Sequence, residues 1–165
     1  MVRPVLIEFL PRPLARAGLR IAHRLRHHWR RLAKPRLRGV TVFLHDSQGR
    51  VLFVRHAYGP DVWGLPGGGI DRGEAPEDAA RREMAEELRV TLTNLRCVGT
   101  LDETLSGAPH VAYLYSATIA QVPEPDGREI VEVRFAAPDD PPQPLGKTAR
   151  RRLVFLRSAQ ADTAP

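Results

Sequence analysis

The stretch GGGIDRGEAPEDAARREMAEELRV, residues 67–90, decides how this chain is read. Its second half, Pro76 to about Leu88, has the marks of a helix. Pro76 suits the first turn, where a missing N–H costs nothing. Glu77 and Asp78 fall where the helix dipole favours negative charge. Ala80, Met84 and Leu88 recur every four residues and form an apolar stripe. Glu83, Glu86 and Glu87, at i, i+3 and i+4, share a different face. Crowding three carboxylates costs a few tenths of a kcal/mol per pair, roughly, unless something lies between them. A divalent cation turns that cost into a gain, and hard oxygen donors suit magnesium or manganese rather than zinc. The glutamates alone are also compatible with a solvated acidic face paired with Arg81 or Arg82.

The first half of the stretch supplies a second signal. Three consecutive glycines let backbone approach a ligand closely, and a glycine-rich loop feeding a helix N-terminus is one way to hold phosphate. Loop and helix together resemble the signature of the Nudix hydrolases, G-x5-E-x7-R-E-U-x-E-E-x-G-U, where U is a bulky apolar residue. Gly68 is followed at the required spacing by Glu74, then by Arg82-Glu83-Met84-Ala85-Glu86-Glu87, and Val90 closes the pattern. The late glycine of the signature is Arg89 here. A glycine suits a left-handed helix end, and arginine costs roughly 1 kcal/mol more in that conformation. The departure touches how the helix stops and removes no carboxylate.

The resemblance implies an enzyme that cleaves the diphosphate linkage of a nucleoside diphosphate derivative by attack of water on phosphorus, with Mg2+ (or Mn2+) as cofactor. It implies that Glu83, Glu86 and Glu87 hold the metal, joined by the carbonyl of Gly67. Arg82 would orient the glutamates, and Glu74 would brace the junction of loop and helix. Gly67, Gly68 and Arg55 are expected to contact substrate. The general base varies within the family. Glu83 can serve, and Asp102, Glu103, Glu129 and Glu132 are downstream candidates, Glu132 being carried forward with the catalytic set. Two other functions stay open: a nucleotide-sensing module that binds without hydrolysis, and a hydrolase of RNA-end phosphates.

Outward from this core, the chain alternates strands and helices without a regular βαβ rhythm. Val40–Leu44 and Val51–Val54 flank an Asp/Ser/Gly turn and read as a hairpin. Strands are expected over Leu92–Leu101, Val111–Ile119 and Glu129–Phe135, and a basic helix over Leu145–Arg157. Trp63 and the loop around it read as packing. The fold class is α+β, a mixed central sheet with helices packed on it. The family resemblance makes that an α/β/α sandwich over residues 39–157, with a flexible tail at 158–165.

Charge sets the N-terminal arm apart. Residues 1–38 hold eleven Lys/Arg against Glu8 alone, while the remainder carries a net charge of −4. An acidic body argues against a whole-domain nucleic-acid binder. Leu14, Ile21, Leu25, Trp29 and Leu32 recur at helical spacing among arginines, so a basic amphipathic helix is expected from Leu14 to about Leu32, stopped near Pro35, within an N-terminal extension over residues 1–38 whose arm runs from Arg12 to Arg38. Its readings are docking on the domain, contact with an anionic membrane surface, or attraction of RNA. His23 and His27 lie one turn apart on this arm and read as exposed. Cys97 is the single cysteine, which excludes an intrachain disulfide and a cysteine zinc site. No apolar run reaches the ~18 residues that span a bilayer, and the N-terminus lacks a convincing signal-peptide pattern. A cytoplasmic location is expected, and a homodimer is compatible with the sequence.

Overall fold

The computed structural model describes residues 37–105 and 107–161, so the basic helix expected from Leu14 to about Leu32 lies outside the described residues. Six strands and two helices follow in chain order: β1 Leu37–His45, β2 Val51–His56, β3 Trp63–Gly64, α1 Pro76–Leu88, β4 Arg96–Leu105, β5 Ala108–Thr118, β6 Ile130–Ala136 and α2 Lys147–Ala161. The sheet runs β3-β2-β1-β5-β4, with β6 on the other edge of β2. It is mixed: β1 and β5 are parallel from Leu37↔His110 to His45↔Thr118, and every other pair is antiparallel. This is the expected α+β class.

Period-two alternation explains the layers. Val40, Val42 and Leu44 of β1, with Leu52 and Val54 of β2, pack against Ala80, Met84 and Leu88 of α1. Phe43, Val51 and Phe53 point to the opposite face, against Leu153 and Leu156 of α2. Strands buried on both faces read as unbroken apolar runs, which is how Val40–Leu44 and Val51–Val54 appear. Each such Leu, Phe or Met contributes about 1.5–3 kcal/mol on burial. Trp63 is buried in the α2-side cluster, in keeping with a packing role.

Element boundaries shift in ways the sheet explains. The 92–101 strand runs instead over 96–105, because Leu92 and Leu95 pack into the α1-side core while β4 pairs with β5 through Leu105↔Ala108. β1 begins at Leu37, and α2 continues to Ala161. The expected hairpin closes only at His45↔Val51. Its turn is set by Asp46, whose Oδ1 accepts from the amides of Gln48 (3.0 Å) and Arg50 (2.9 Å), the Asx-type geometry that favours Asp there.

Beyond that turn β1 and β2 separate, and this positions the site. The freed edge of β1 is taken by the glycine loop: Val42 N–H donates to Pro66 O (3.0 Å), Val40 N–H to Gly68 O (2.9 Å), and Ile70 N–H to Arg38 O (3.2 Å). Gly39 and Gly69 form a bridge in the same run. The loop is therefore fixed as a short extra strand, with its backbone hydrogen bonds accounted for.

Candidate functional site

Helix α1 delivers its glutamates to this loop. Ala75 makes no side-chain cap, and the first turn carries Pro76, Glu77 and Asp78. Arg81 pairs with Glu77 (2.8 Å) and also donates to Leu92 O. The apolar stripe faces the sheet, so the next face of the helix meets Gly67 and Gly68. Glu83 and Glu87 are only 4% and 3% exposed. The Gly67 N–H donates to Glu87 Oε2 (3.3 Å). A side chain at Gly68 would begin inside the Glu83 carboxylate, and one at Gly67 would strike backbone at Val40 and Thr41. Both glycines are required by close approach rather than by turn geometry alone. Glu86 lies at the mouth, its side chain 39% exposed.

Arg82 is the hub of this arrangement. Its Nε and Nη2 take the two oxygens of Glu74 at 2.8 and 2.9 Å, a bidentate fork. Nη1 reaches Glu83 (2.7 Å) and lies 3.5 Å from Glu86, and Nη2 also donates to Gly69 O (3.0 Å). One guanidinium thus joins loop, junction and two box carboxylates. Glu74 closes the junction by accepting from the Asp71 amide (2.8 Å). The Arg82 hydrogen bonds hold the Glu74 carboxyl down at about 2, against a smaller upward push from burial. The same partners raise the pKa of Arg82, Glu74 most of all.

Arg89 takes the glycine position of the signature and sits at φ 56°, ψ 31°. It is the one non-glycine residue at positive φ among the described residues. The helix ends as the signature requires: Arg89 N–H donates to Ala85 O (3.1 Å) and Val90 N–H to Met84 O (3.3 Å). The segment after β5 then wraps this end, with the amides of Glu124 and Asp126 donating to Leu88 O (2.9 Å) and Glu87 O (3.0 Å).

The remaining expected residues divide. Arg55 and Glu132 pair with each other across β2 and β6 (2.9 Å). Arg55 also bonds Asp61 and lies 5.6 Å above the Trp63 ring. Its hydrogen bonds to Asp61 and Glu132 raise its pKa. Glu129 accepts from Tyr58 Oη (3.3 Å), and Asp126 Oδ1 holds the Glu129 and Ile130 amides. Asp102 is exposed, while Glu103 is buried on the α2 side against His110 and Arg152. Sequence reasoning weighed Glu103 only as a base and missed His110 and Arg152. The only signal that could find them is the register Glu103↔His110, which spacing alone does not disclose.

Glu83 and Glu87 bring hard oxygen donors to the glycine loop, and Glu86 is linked to Glu83 through Arg82; that chemistry suits a small divalent cation. Among the described residues no three His, Cys, Asp or Glu side chains are gathered into a ready cage. The donor set is an open one in which Arg82 now balances Glu83. No helix among the described residues is long and apolar enough to cross a membrane.

Comparison with known proteins agrees with this geometry. An RNA pyrophosphohydrolase of Rhodospirillum rubrum is 46% identical over 54 residues, which is 33% of this chain and 33% of that protein. The match thus spans about a third of the length of that curated relative. A MutT NUDIX hydrolase structure from Burkholderia pseudomallei superposes with a TM-score of 0.67 at 29% identity, covering 74% of this chain and 98% of that one. The NUDIX domain of Shewanella oneidensis NrtR, solved with ADP ribose, has the same fold: TM-score 0.66, 24% identity, 77% of this chain and 90% of that one. With residues 35–157 matching the NUDIX domain as a whole, the chain belongs to the NUDIX domain family.

Proposed function

We propose that this chain is a divalent-metal-dependent pyrophosphohydrolase that cleaves the diphosphate linkage of a nucleoside diphosphate derivative. The observation that carries the reading is the convergence of buried Glu83 and Glu87 on Gly67 and Gly68. Buried carboxylates are expensive without a cationic partner. Arg82 contacts Glu83 and approaches Glu86.

Glu83, Glu86, Glu87 and the Gly67 carbonyl would hold Mg2+ or Mn2+, which when bound neutralises diphosphate charge and lowers the pKa of water. The protein residues supply the rest. The loop, pinned to β1, presents its backbone to the phosphates. Arg82 would fix the Glu83 and Glu86 carboxylates in place. Water attacks one phosphorus, the bond to the bridging oxygen breaks, and the other phosphate leaves. The proton passes to a carboxylate, for which Glu83 is placed at the loop and shielded from bulk water.

The intact carboxylate set favours an enzyme over a sensing module. The local likeness to an RNA pyrophosphohydrolase supports a second substrate, the 5′-triphosphate end of RNA. A cytoplasmic site of action fits either substrate. The test is a panel of ADP-ribose, sugar nucleotides, dinucleoside polyphosphates, nucleoside triphosphates and triphosphorylated RNA, each with magnesium or manganese. Metal-dependent release of a nucleoside monophosphate, phosphate or pyrophosphate is expected from at least one class. Absence of turnover across the panel would sink the reading.

A further inference from the structure

Helix α2 carries five basic side chains, Lys147, Arg150, Arg151, Arg152 and Arg157, and no acidic one. Its inner face docks on the sheet through Ala149, Leu153 and Leu156, all buried. Arg152 also turns inward, to Glu103 and Thr41. Lys147, Arg150, Arg151, Val154 and Ser158 recur at spacings of three and four, so they line one outward stripe, with Arg157 at its margin. All six are exposed.

The fold gives these cations little support. Lys147 and Arg150 have no ion pair among the described residues. Arg151 lies 4.0 Å from the buried Oε2 of Glu103, and its own side chain is 58% exposed. The first turn holds no acid, so Lys147 and Arg150 stand at the positive end of the helix dipole, where cations destabilise a helix. A solvent-facing helix gains more from opposite charges one turn apart, as Arg81 and Glu77 are on α1. Fold stability does not account for the stripe, whereas an external anionic partner does.

Val154 distinguishes between such partners. It is 57% exposed in the middle of the stripe. Among arginines it adds nothing to contact with a phosphodiester backbone. At a bilayer it enters the headgroup boundary while the cations meet anionic lipid. The opposite face of the sheet points the same way. The exposed charges of α1 are Glu77, Asp78 and Glu86, all acidic. The two helices are thus of opposite sign across the sheet, and an anionic plane attracts α2 and repels α1. Residues 1–38, with eleven Lys/Arg against Glu8, lead into β1 and would add to the attraction.

We propose that the outward face of α2 docks this chain on an anionic bilayer, with Lys147, Arg150, Arg151 and Arg157 against lipid phosphates and Val154 at the headgroup boundary. Docked in this way, the chain keeps the mouth at Glu86 turned toward water. A nucleic acid lying on α2 would instead have the sheet between itself and that mouth.

The experiment measures binding of the full chain to sedimenting vesicles, made of phosphatidylcholine alone or of phosphatidylcholine and phosphatidylglycerol in equal parts. Binding is expected with the anionic vesicles only. Each basic side chain near an anionic leaflet strengthens binding roughly fivefold, so Lys147→Glu combined with Arg150→Glu should weaken it by roughly tenfold or more. Acids in the first turn suit the dipole, so this double variant should fold, as circular dichroism checks. It retains residues 1–38, so its loss of binding is assigned to α2 rather than to them. Val154→Ser should weaken vesicle binding severalfold through lost apolar contact alone. Unchanged vesicle affinity in either folded variant would overturn the proposal. So would equal binding to neutral vesicles, no binding to either kind, or a preference for a single-stranded RNA oligonucleotide that the double variant loses and Val154→Ser keeps.

Discussion

Gly68 and Glu83 share one volume: the Glu83 carboxylate occupies the place where a side chain on residue 68 would begin. The loop glycine and the buried glutamate are therefore a matched pair, and the missing methyl is what lets α1 bring its carboxylate against the loop. Gly67 stands in a different relation. Its φ is +141°, and a Cβ there would meet immovable backbone, including Thr41 Cα at 2.9 Å.

These two relations predict different failures. Gly68→Ala displaces a side chain, so turnover should fall about 10–100-fold, as when the support of a metal ligand is lost, with little change in melting temperature. Gly67→Ala displaces β1 itself and should destabilise the fold by several kcal/mol, roughly. Thermal melts and kcat/KM on both variants check this. Similar melting losses in the two would contradict the distinction.

The box carboxylates give a second prediction. Glu87→Gln keeps an oxygen to accept the Gly67 amide, and Glu86→Gln alters an exposed side chain. Both should keep the fold, as judged by circular dichroism. Each should lower metal-dependent kcat/KM by about 100-fold or more, because removing a charge that holds the ion removes its electrostatic work. Full activity in both variants would refute their assignment as metal ligands.

A pH prediction follows from the Glu74–Arg82 fork. The Glu74 carboxyl is lowered from 4.5 to about 2, chiefly by its hydrogen bonds to Arg82. A depressed carboxyl stabilises the folded state fully above its unfolded value and loses that contribution as pH falls through its folded value. The contribution should therefore vanish between about pH 4.5 and pH 2. Allowing for solvent screening at the edge of the site, it amounts to roughly 1–2 kcal/mol. Glu103 shifts in the same direction, so the measurement is the difference between the unaltered chain and Glu74→Gln in denaturant melts across this range. Parallel curves would show that the fork contributes nothing to stability.

What could be read in advance follows from where the information resides. The α1 helix and its two faces were legible because helical spacing alone fixes which of Ala80, Met84, Glu83 and Glu87 lie together. The capture of the loop by the open edge of β1 was not, since it depends on β1 and β2 parting after His45↔Val51. The hub role of Arg82 was half legible. Glu86 is one helical turn away and so within its reach, whereas the closer contacts go to Glu74, eight residues back across the loop, and to the adjacent Glu83. The Glu103–His110–Arg152 centre was invisible, because its members meet only through strand register and the docking of α2.

The last prediction concerns Arg89, where the sequence departs from the family signature. Its backbone sits at φ 56°, a conformation that costs an L-residue with a side chain about 1 kcal/mol relative to glycine. The side chain recovers little of this: its pairing with Glu124 is 3.5 Å long between groups 63% and 69% exposed, a kind of contact worth at most about 1 kcal/mol and often nothing. Glycine also has more freedom to lose on folding, which offsets part of the gain. Arg89→Gly should therefore stabilise the chain by roughly 0.5–1 kcal/mol, or about 1–4 °C in melting temperature for a domain of this size. Turnover should stay unchanged, because the αL cap and its bonds to Ala85 and Met84 are backbone features that glycine preserves. A lower melting temperature for Arg89→Gly would mean that the arginine side chain holds the 124–126 segment against the end of α1 more firmly than its exposed geometry implies.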